Sequence, residues 1–112
     1  MTLIEEYRKI AKERWEYLEH GNSRKGNKCF DKLVKIAMEL NKCDGLEKLI
    51  ILLDDENDGV KFETASILLF VCEDEAIQAL EKVATKRGVL SFCAEQTLIE
   101  WKAGNMKFPF EE

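Results

Sequence analysis

The feature that most constrains the fold of this chain is a pattern of apolar residues that occurs twice, 29 positions apart. The two copies span residues 60–72 and 89–103, and the matching residues are Val60 with Val89, Ala65 with Ala94, and Leu69 with Leu98. Each copy follows a shorter apolar stretch, residues 46–53 and 76–85, and these match with an offset of 31. A helix pair repeated about every 30 residues is typical of α-solenoids, because one pair cannot bury its apolar face without a neighbouring pair.

The rest of the chain favours the same fold class. Apolar residues recur at steps of three or four along residues 3–20 and 29–40, which predicts two more amphipathic helices. The chain has one Pro and six Gly, whereas an all-β domain needs a turn signal about every 8 to 12 residues. We predict one all-α domain, 1–112: a short right-handed α-solenoid of three helical hairpins, about 3–41, 44–72 and 74–103, with a tail, 104–112. The helix 60–72 is predicted to lie at the centre of the core.

The charge and the apolar runs bear on the class of partner. The formal net charge is −5 and the pI is near 5.0, whereas affinity for DNA or RNA depends on Lys and Arg that displace counterions from phosphates. The first ten residues, MTLIEEYRKI, lack the apolar core of a signal peptide, and no apolar run approaches the roughly 20 residues of a membrane span. We therefore expect a cytoplasmic protein without a nucleic-acid or membrane partner.

The cysteines and the histidine form no pattern with known chemistry. The chain has one His and four cysteines, none of which form a C-x-x-C pair: Cys29, Cys43, Cys72 and Cys93. A zinc site needs paired ligands at short spacing. We expect reduced thiols that mostly pack as small apolar groups. His20 has no nucleophile with a third, orienting group. The sequence therefore predicts no metal, no cofactor, no catalytic residue and no enzymatic activity.

Several short segments, taken in order and spacing, resemble HEAT-like repeats. They are the segment LDDENDGVK at residues 53–61, the small pair Thr64 and Ala65, Ala76 with Leu80, and the ending Ala94-x-x-x-Leu98-x-x-Trp101-x-x-Gly104. More narrowly, the chain is similar to a family of small bacterial single-domain proteins of unknown function with HEAT-like helix pairs. It departs from the general pattern because it lacks the proline of the first helix and a well-placed arginine in the second.

The resemblance implies a binding function. Proteins similar to this one are often encoded beside polymorphic or contact-dependent toxins, and several are immunity proteins that bind and block a cognate toxin domain. The expected partner is then a basic toxin domain, bound by a monomer or a weak homodimer of this chain. Two alternatives stay open: a general HEAT-like adaptor or regulatory scaffold module, and a small enzyme or nucleic-acid binder that uses the basic residues between positions 24 and 35.

Acidic residues are concentrated in the middle of the chain, where residues 43–59 have a net charge of −5 and residues 60–75 a net charge of −3. The cluster within 54–58 is our first candidate for the binding site, because four acids in five positions exceed what helix capping needs. The acids at 73–75 have a second interpretation, since acidic residues stabilise helix starts. A helix between these clusters would expose Glu63. The predicted acidic binding residues are Asp54, Asp55, Glu56, Asp58, Glu63, Glu73, Asp74 and Glu75.

Aromatic residues add one further candidate for the partner-binding site. Tyr17 lies on the polar side of the first helix, and Tyr is frequent at interface hot spots. Trp15 and Trp101 are expected to fill the core. The open end of a solenoid has to hide its apolar face. The tail is therefore expected to fold back and cover the last hairpin with Met106, Phe108 and Phe110.

Overall fold

A computed structural model describes residues 2–43 and 45–107. These residues form six helices and no strand: α1 (Leu3–Glu19), α2 (Ser23–Lys42), a 3₁₀ helix (Leu46–Asp54), α3 (Asp58–Leu68), α4 (Glu73–Ala84) and α5 (Val89–Lys102). The predicted all-α class is confirmed, and the arrangement is consistent with a short helical-repeat solenoid. Asp44 and the tail residues Phe108 and Phe110 lie outside the described residues.

The helices pack as three successive pairs around α3. Helix α1 packs on α2, the 3₁₀ helix packs on α3, and α4 packs on α5. Helix α3 also contacts α1, α4 and α5, and its residues Val60, Ala65 and Leu68 are fully buried. The prediction that this helix forms the centre of the core is confirmed.

The start and end of α1 follow from its flanking residues. The Thr2 hydroxyl oxygen accepts a hydrogen bond from the Glu5 backbone N–H at 3.1 Å, which caps one of the otherwise unpaired donors of the first turn. Gly21 ends the helix with φ of 76°, a conformation that costs little only for glycine. Between these ends the predicted apolar stripe is buried at Tyr7, Ile10, Ala11 and Trp15, whereas Leu3 at its start is 40% exposed.

The segment predicted as a helix over residues 46–53 is a 3₁₀ helix that extends to Asp54. Its leucines Leu46, Leu49 and Leu52 are buried and stand three positions apart. Side chains three apart eclipse one another in a 3₁₀ helix, so this spacing puts all three on one side. The intervening Ile50 and Ile51 are left 40% and 69% exposed.

Helix α3 is shorter than the predicted helix 60–72, because it ends at Leu68. The Leu68 carbonyl accepts hydrogen bonds from Val71 N–H at 3.0 Å and from Cys72 N–H at 2.7 Å, which closes a tight turn. Helix α4 then begins at Glu73, three residues before the predicted start. The earlier start places three acidic residues in its first turn, where they favour the helix.

The internal repeat holds in the middle of the matching helices and fails at their start. Ala65 and Ala94 are both fully buried, and Leu69 and Leu98 are both buried. Val60 is fully buried, whereas its match Val89 is 70% exposed at the start of the last helix. The difference follows from position, since α3 has neighbours on several sides and α5 lies at the end of the stack.

Gly59 permits the close approach of α1 to α3, and we predict that Gly59→Ala destabilises the protein. A Cβ at this position would lie 2.8 Å from Cδ1 of Trp15. Alanine gains up to about 1 kcal/mol of helix propensity over glycine, but overpacking a core costs about 1 to 3 kcal/mol. The expected result of chemical denaturation is a net loss in the free energy of unfolding.

The control for Gly59→Ala is Gly21→Ala, where no atom lies within 4 Å of the added Cβ and only the positive φ opposes the change. Its cost should be about 1 kcal/mol, the ordinary cost of the left-handed conformation. A Gly59→Ala variant as stable as the native protein, or more stable, would show that α1 and α3 do not meet this closely.

Candidate functional site

Glu63 is a buried link between α3 and α1. Its carboxylate accepts hydrogen bonds from the Arg14 guanidinium and, at 2.8 Å, from the indole N–H of Trp15. Its backbone carbonyl accepts the Tyr7 hydroxyl at 3.3 Å. Only 7% of Glu63 is exposed. The expectation that Glu63 lies on the surface is therefore wrong, because three residues of α1 cover it.

Asp55 lies in the turn before α3 and is held by α1. Arg8 donates to it through Nε at 2.5 Å and Nη2 at 3.3 Å, and the Asn57 backbone N–H donates at 2.9 Å. Burial raises the pKa of the Asp55 carboxyl, but the hydrogen bonds from Arg8 and Asn57 and the charges of Arg8 and Lys12 outweigh it and hold the pKa below its usual value. Asp55 thus joins α1 to the turn.

Two other predicted binding residues also have structural partners. The Asp58 carboxylate accepts from the Lys86 ammonium at 2.7 Å, which links the start of α3 to the residues after α4. The Glu73 carboxylate accepts from the indole N–H of Trp101 at 2.6 Å and so links α4 to α5. Both residues contribute to the packing of the hairpins, and Glu73 also lies in the first turn of α4, the position that its second interpretation required.

Three of the predicted carboxylates that remain lie in two clefts beside the 3₁₀ helix, one against α1 and the other against α4. Asp54 lines two shallow clefts, one with Glu56 and Ile51 and the other with Glu75 and Ile50. Asp54, Glu56 and Glu75 are exposed, and their carboxylates form no hydrogen bond or ion pair with another described residue, although the charge of Glu56 acts on Arg8 in the same cleft. We name Ile50, Ile51, Asp54, Glu56 and Glu75 the acidic edge.

The acidic edge contains residues of both predicted acidic clusters: Asp54 and Glu56 from the first, and Glu75 from the second. The sequence predicts the two clusters at opposite ends of helix 60–72, roughly 20 Å apart, with Glu63 between them. In the structure, Asp54 and Glu75 line one cleft between the 3₁₀ helix and α4. The 3₁₀ helix and α4 both pack on α3 and contact each other, which brings parts of the two clusters to one cleft.

The other predicted residues stay apart from this edge. Asp74 is exposed in the first turn of α4 and lines neither cleft. Tyr17 is half-buried, and the Lys25 ammonium lies 5.5 Å from the centre of its ring. Tyr17 therefore belongs to the contact between α1 and α2. A partner role for Asp74 or Tyr17 stays a prediction.

Sequence reasoning missed the two isoleucines of the acidic edge. The signal is present in the sequence, because the buried leucines Leu46, Leu49, Leu52 and Leu53 share one face and leave Ile51 on the opposite side. The charged neighbours drew the prediction to the acids alone.

The His, Cys, Asp and Glu side chains of the described residues bear on metal and thiol chemistry. Across residues 2–43 and 45–107, no three His, Cys, Asp or Glu side chains come together as a set of metal ligands. The four cysteines are free thiols, of which Cys29 is buried and Cys43 is exposed. No helix in this part of the chain is both long and apolar enough to cross a bilayer.

The described residues thus define a small helical-repeat domain with an acidic edge. The chain belongs to a family of domains of unknown function, DUF2019, whose model matches residues 2–99. A search of the curated proteins finds no match. The crystal structure of the protein RPA1889 from Rhodopseudomonas palustris CGA009 is similar, with 25% sequence identity and a TM-score of 0.88. The match covers 96% of this chain and 93% of that chain, and neither comparison links the family to a toxin.

We predict that Asp55→Asn lowers the melting temperature at neutral pH by about 2 to 4 °C, a modest effect for an ion pair near the surface. Because the folded pKa of Asp55 lies below the unfolded value of about 3.9, its contribution is complete above about pH 4 and is lost as the pH falls through the folded pKa. Stability of the variant should therefore fall less steeply below pH 4 in thermal melts.

The control for Asp55→Asn is Asp54→Asn, which removes the same charge from the exposed neighbouring carboxylate. It should keep the native melting temperature at neutral pH, because the Asp54 carboxylate forms no hydrogen bond or ion pair among the described residues. Equal behaviour of the two variants would contradict the structural role of Asp55.

Proposed function

We propose that this chain is a non-enzymatic protein-binding domain that takes a basic partner at its acidic edge. The observation that supports this function is the placement of two exposed isoleucines beside carboxylates without a structural partner. Hydrogen bonds and ion pairs of four acids, Asp55, Asp58, Glu63 and Glu73, hold helices together, whereas the carboxylates of Asp54 and Glu56 form neither kind of contact among the described residues. Exposed acids with no role in the fold are available to a partner.

The chemistry of the acidic edge suits a partner whose surface combines Lys or Arg with an apolar spot. Unpaired carboxylates raise the rate of encounter with a basic surface and fix its orientation. Ile51 offers an apolar side chain that can be desolvated at the centre of the contact, as interface cores require. The formal net charge of −5 also attracts a basic partner, at longer distances than the individual carboxylates do.

The finer proposal is that the partner is a toxin domain and that this chain is its immunity protein. It rests on the resemblance to small HEAT-like immunity proteins and on the acidic edge, which complements the basic surface of a nuclease toxin. Binding on or beside the toxin's active cleft would neutralise it without any catalytic group on this chain. The adaptor or regulatory scaffold module is the second candidate, since the same edge would serve a non-toxic basic partner.

The test is coexpression with the product of each flanking gene, followed by kinetics on any complex that forms. The Asp54→Asn, Glu56→Gln double variant should associate about three to ten times more slowly at low salt, because two steering charges are lost. The difference should shrink as salt shortens the range of these charges below about 10 Å.

The matched control removes two exposed charges that line neither cleft, with Glu81→Gln and Glu95→Gln. This variant should associate nearly as fast as the native protein. An unchanged rate for the acidic-edge variant would contradict the site. A partner whose toxicity persists in the complex would contradict immunity and support the adaptor, whereas no complex with any flanking product would contradict both.

A further inference from the structure

An apolar groove lies between α2 and α3, which do not pack directly on one another. Its volume is about 250 Å³, and Tyr7 of α1 contributes to its lining. Phe30 and Val34 line it from α2, and Ile67 of α3 lines it from the other side. Phe30 is 45% exposed. The groove is thus a site where further apolar side chains would lose contact with water.

The end of the described chain lies at this groove. After α5 the chain turns at Gly104, whose φ is 76°, and Asn105 is tied back to Glu100 by a backbone hydrogen bond and a side-chain hydrogen bond, both 3.0 Å long. Met106 and Lys107 then line the groove, and Met106 is half-buried against the core. The tail therefore leads from the last hairpin back to the first two.

The sequence beyond Lys107 continues the apolar pattern. Phe108 and Phe110 follow Met106 at steps of two, which is the period that puts side chains on one face of an extended segment. Pro109 disfavours the helical conformation for the residue before it. An extended segment that points Met106 into the groove points both phenylalanines the same way.

We propose that the groove is the docking site of this chain's own segment 108–110, so that the tail joins the third hairpin to the first. The reach fits, because four extended residues from Met106 to Phe110 span up to about 14 Å. The groove runs from Phe30 to Ala37 along α2, which is about 10 Å at 1.5 Å per residue. The groove differs from the acidic edge, so this proposal does not depend on the proposed function.

The test is the full-length chain with Phe108→Ala and Phe110→Ala. Because two aromatic side chains would leave the groove, the melting temperature should fall by about 5 °C or more. Amide hydrogen exchange should become faster where α2 and α3 face the groove. The control variant, Glu111→Gln with Glu112→Gln, alters the same segment without removing apolar surface and should change neither quantity. A phenylalanine variant with native melting temperature and native exchange would overturn the proposal.

Val34→Ala tests whether the phenylalanines bind in this groove and not elsewhere. In the Val34→Ala background, the two phenylalanine substitutions should lower the melting temperature by less, since the effects of substitutions at contacting residues are not additive. Full additivity would place the tail elsewhere, as on the outer face of the last hairpin, and overturn the proposal. The native melting temperature should also stay constant on tenfold dilution. A decrease, with a dimer in sedimentation, would show that a second copy fills the groove.

Discussion

The first hairpin is joined to the rest of the molecule through Trp15, and the arrangement of the helices depends on this contact. Its ring packs edge-on against Phe62 of α3 at 5.5 Å between centroids, and a Cβ on Gly59 would clash with it. Its N–H is bonded to Glu63, whose charge Arg14 balances. Removing one partner from this largely buried pair would leave the other charge uncompensated. The docking of α1 on α3 therefore has to keep Arg14 and Glu63 together.

The acidic residues of the chain therefore divide into two groups with different physical roles. Glu63, Asp55 and Asp58 neutralise cations that come from distant parts of the chain, and Glu73 accepts the indole N–H of Trp101. Asp54, Glu56 and Glu75 face water beside exposed isoleucines. The first group explains how an acidic protein holds its hairpins together, and the second is the surface that we propose for a basic partner.

Much of the fold could be predicted from local sequence patterns. Periodicity located all six helices and the central position of α3, because each signal lies within a single helix. The division of the acids could not be predicted, since Glu63 meets an arginine 49 positions away and Asp58 a lysine 28 positions away. A surface position for Glu63 was a reasonable expectation from α3 alone, and only the docking of α1 reverses it.

The most direct test of this account is the free energy of unfolding of Glu63→Gln, measured by urea denaturation beside Glu95→Gln, which removes the same charge from an exposed position of α5. The account predicts a loss of about 3 kcal/mol for Glu63→Gln, because Arg14 would keep its charge without a counterion. The exposed control should change by less than about 0.5 kcal/mol. Equal, small losses for both variants would contradict the account.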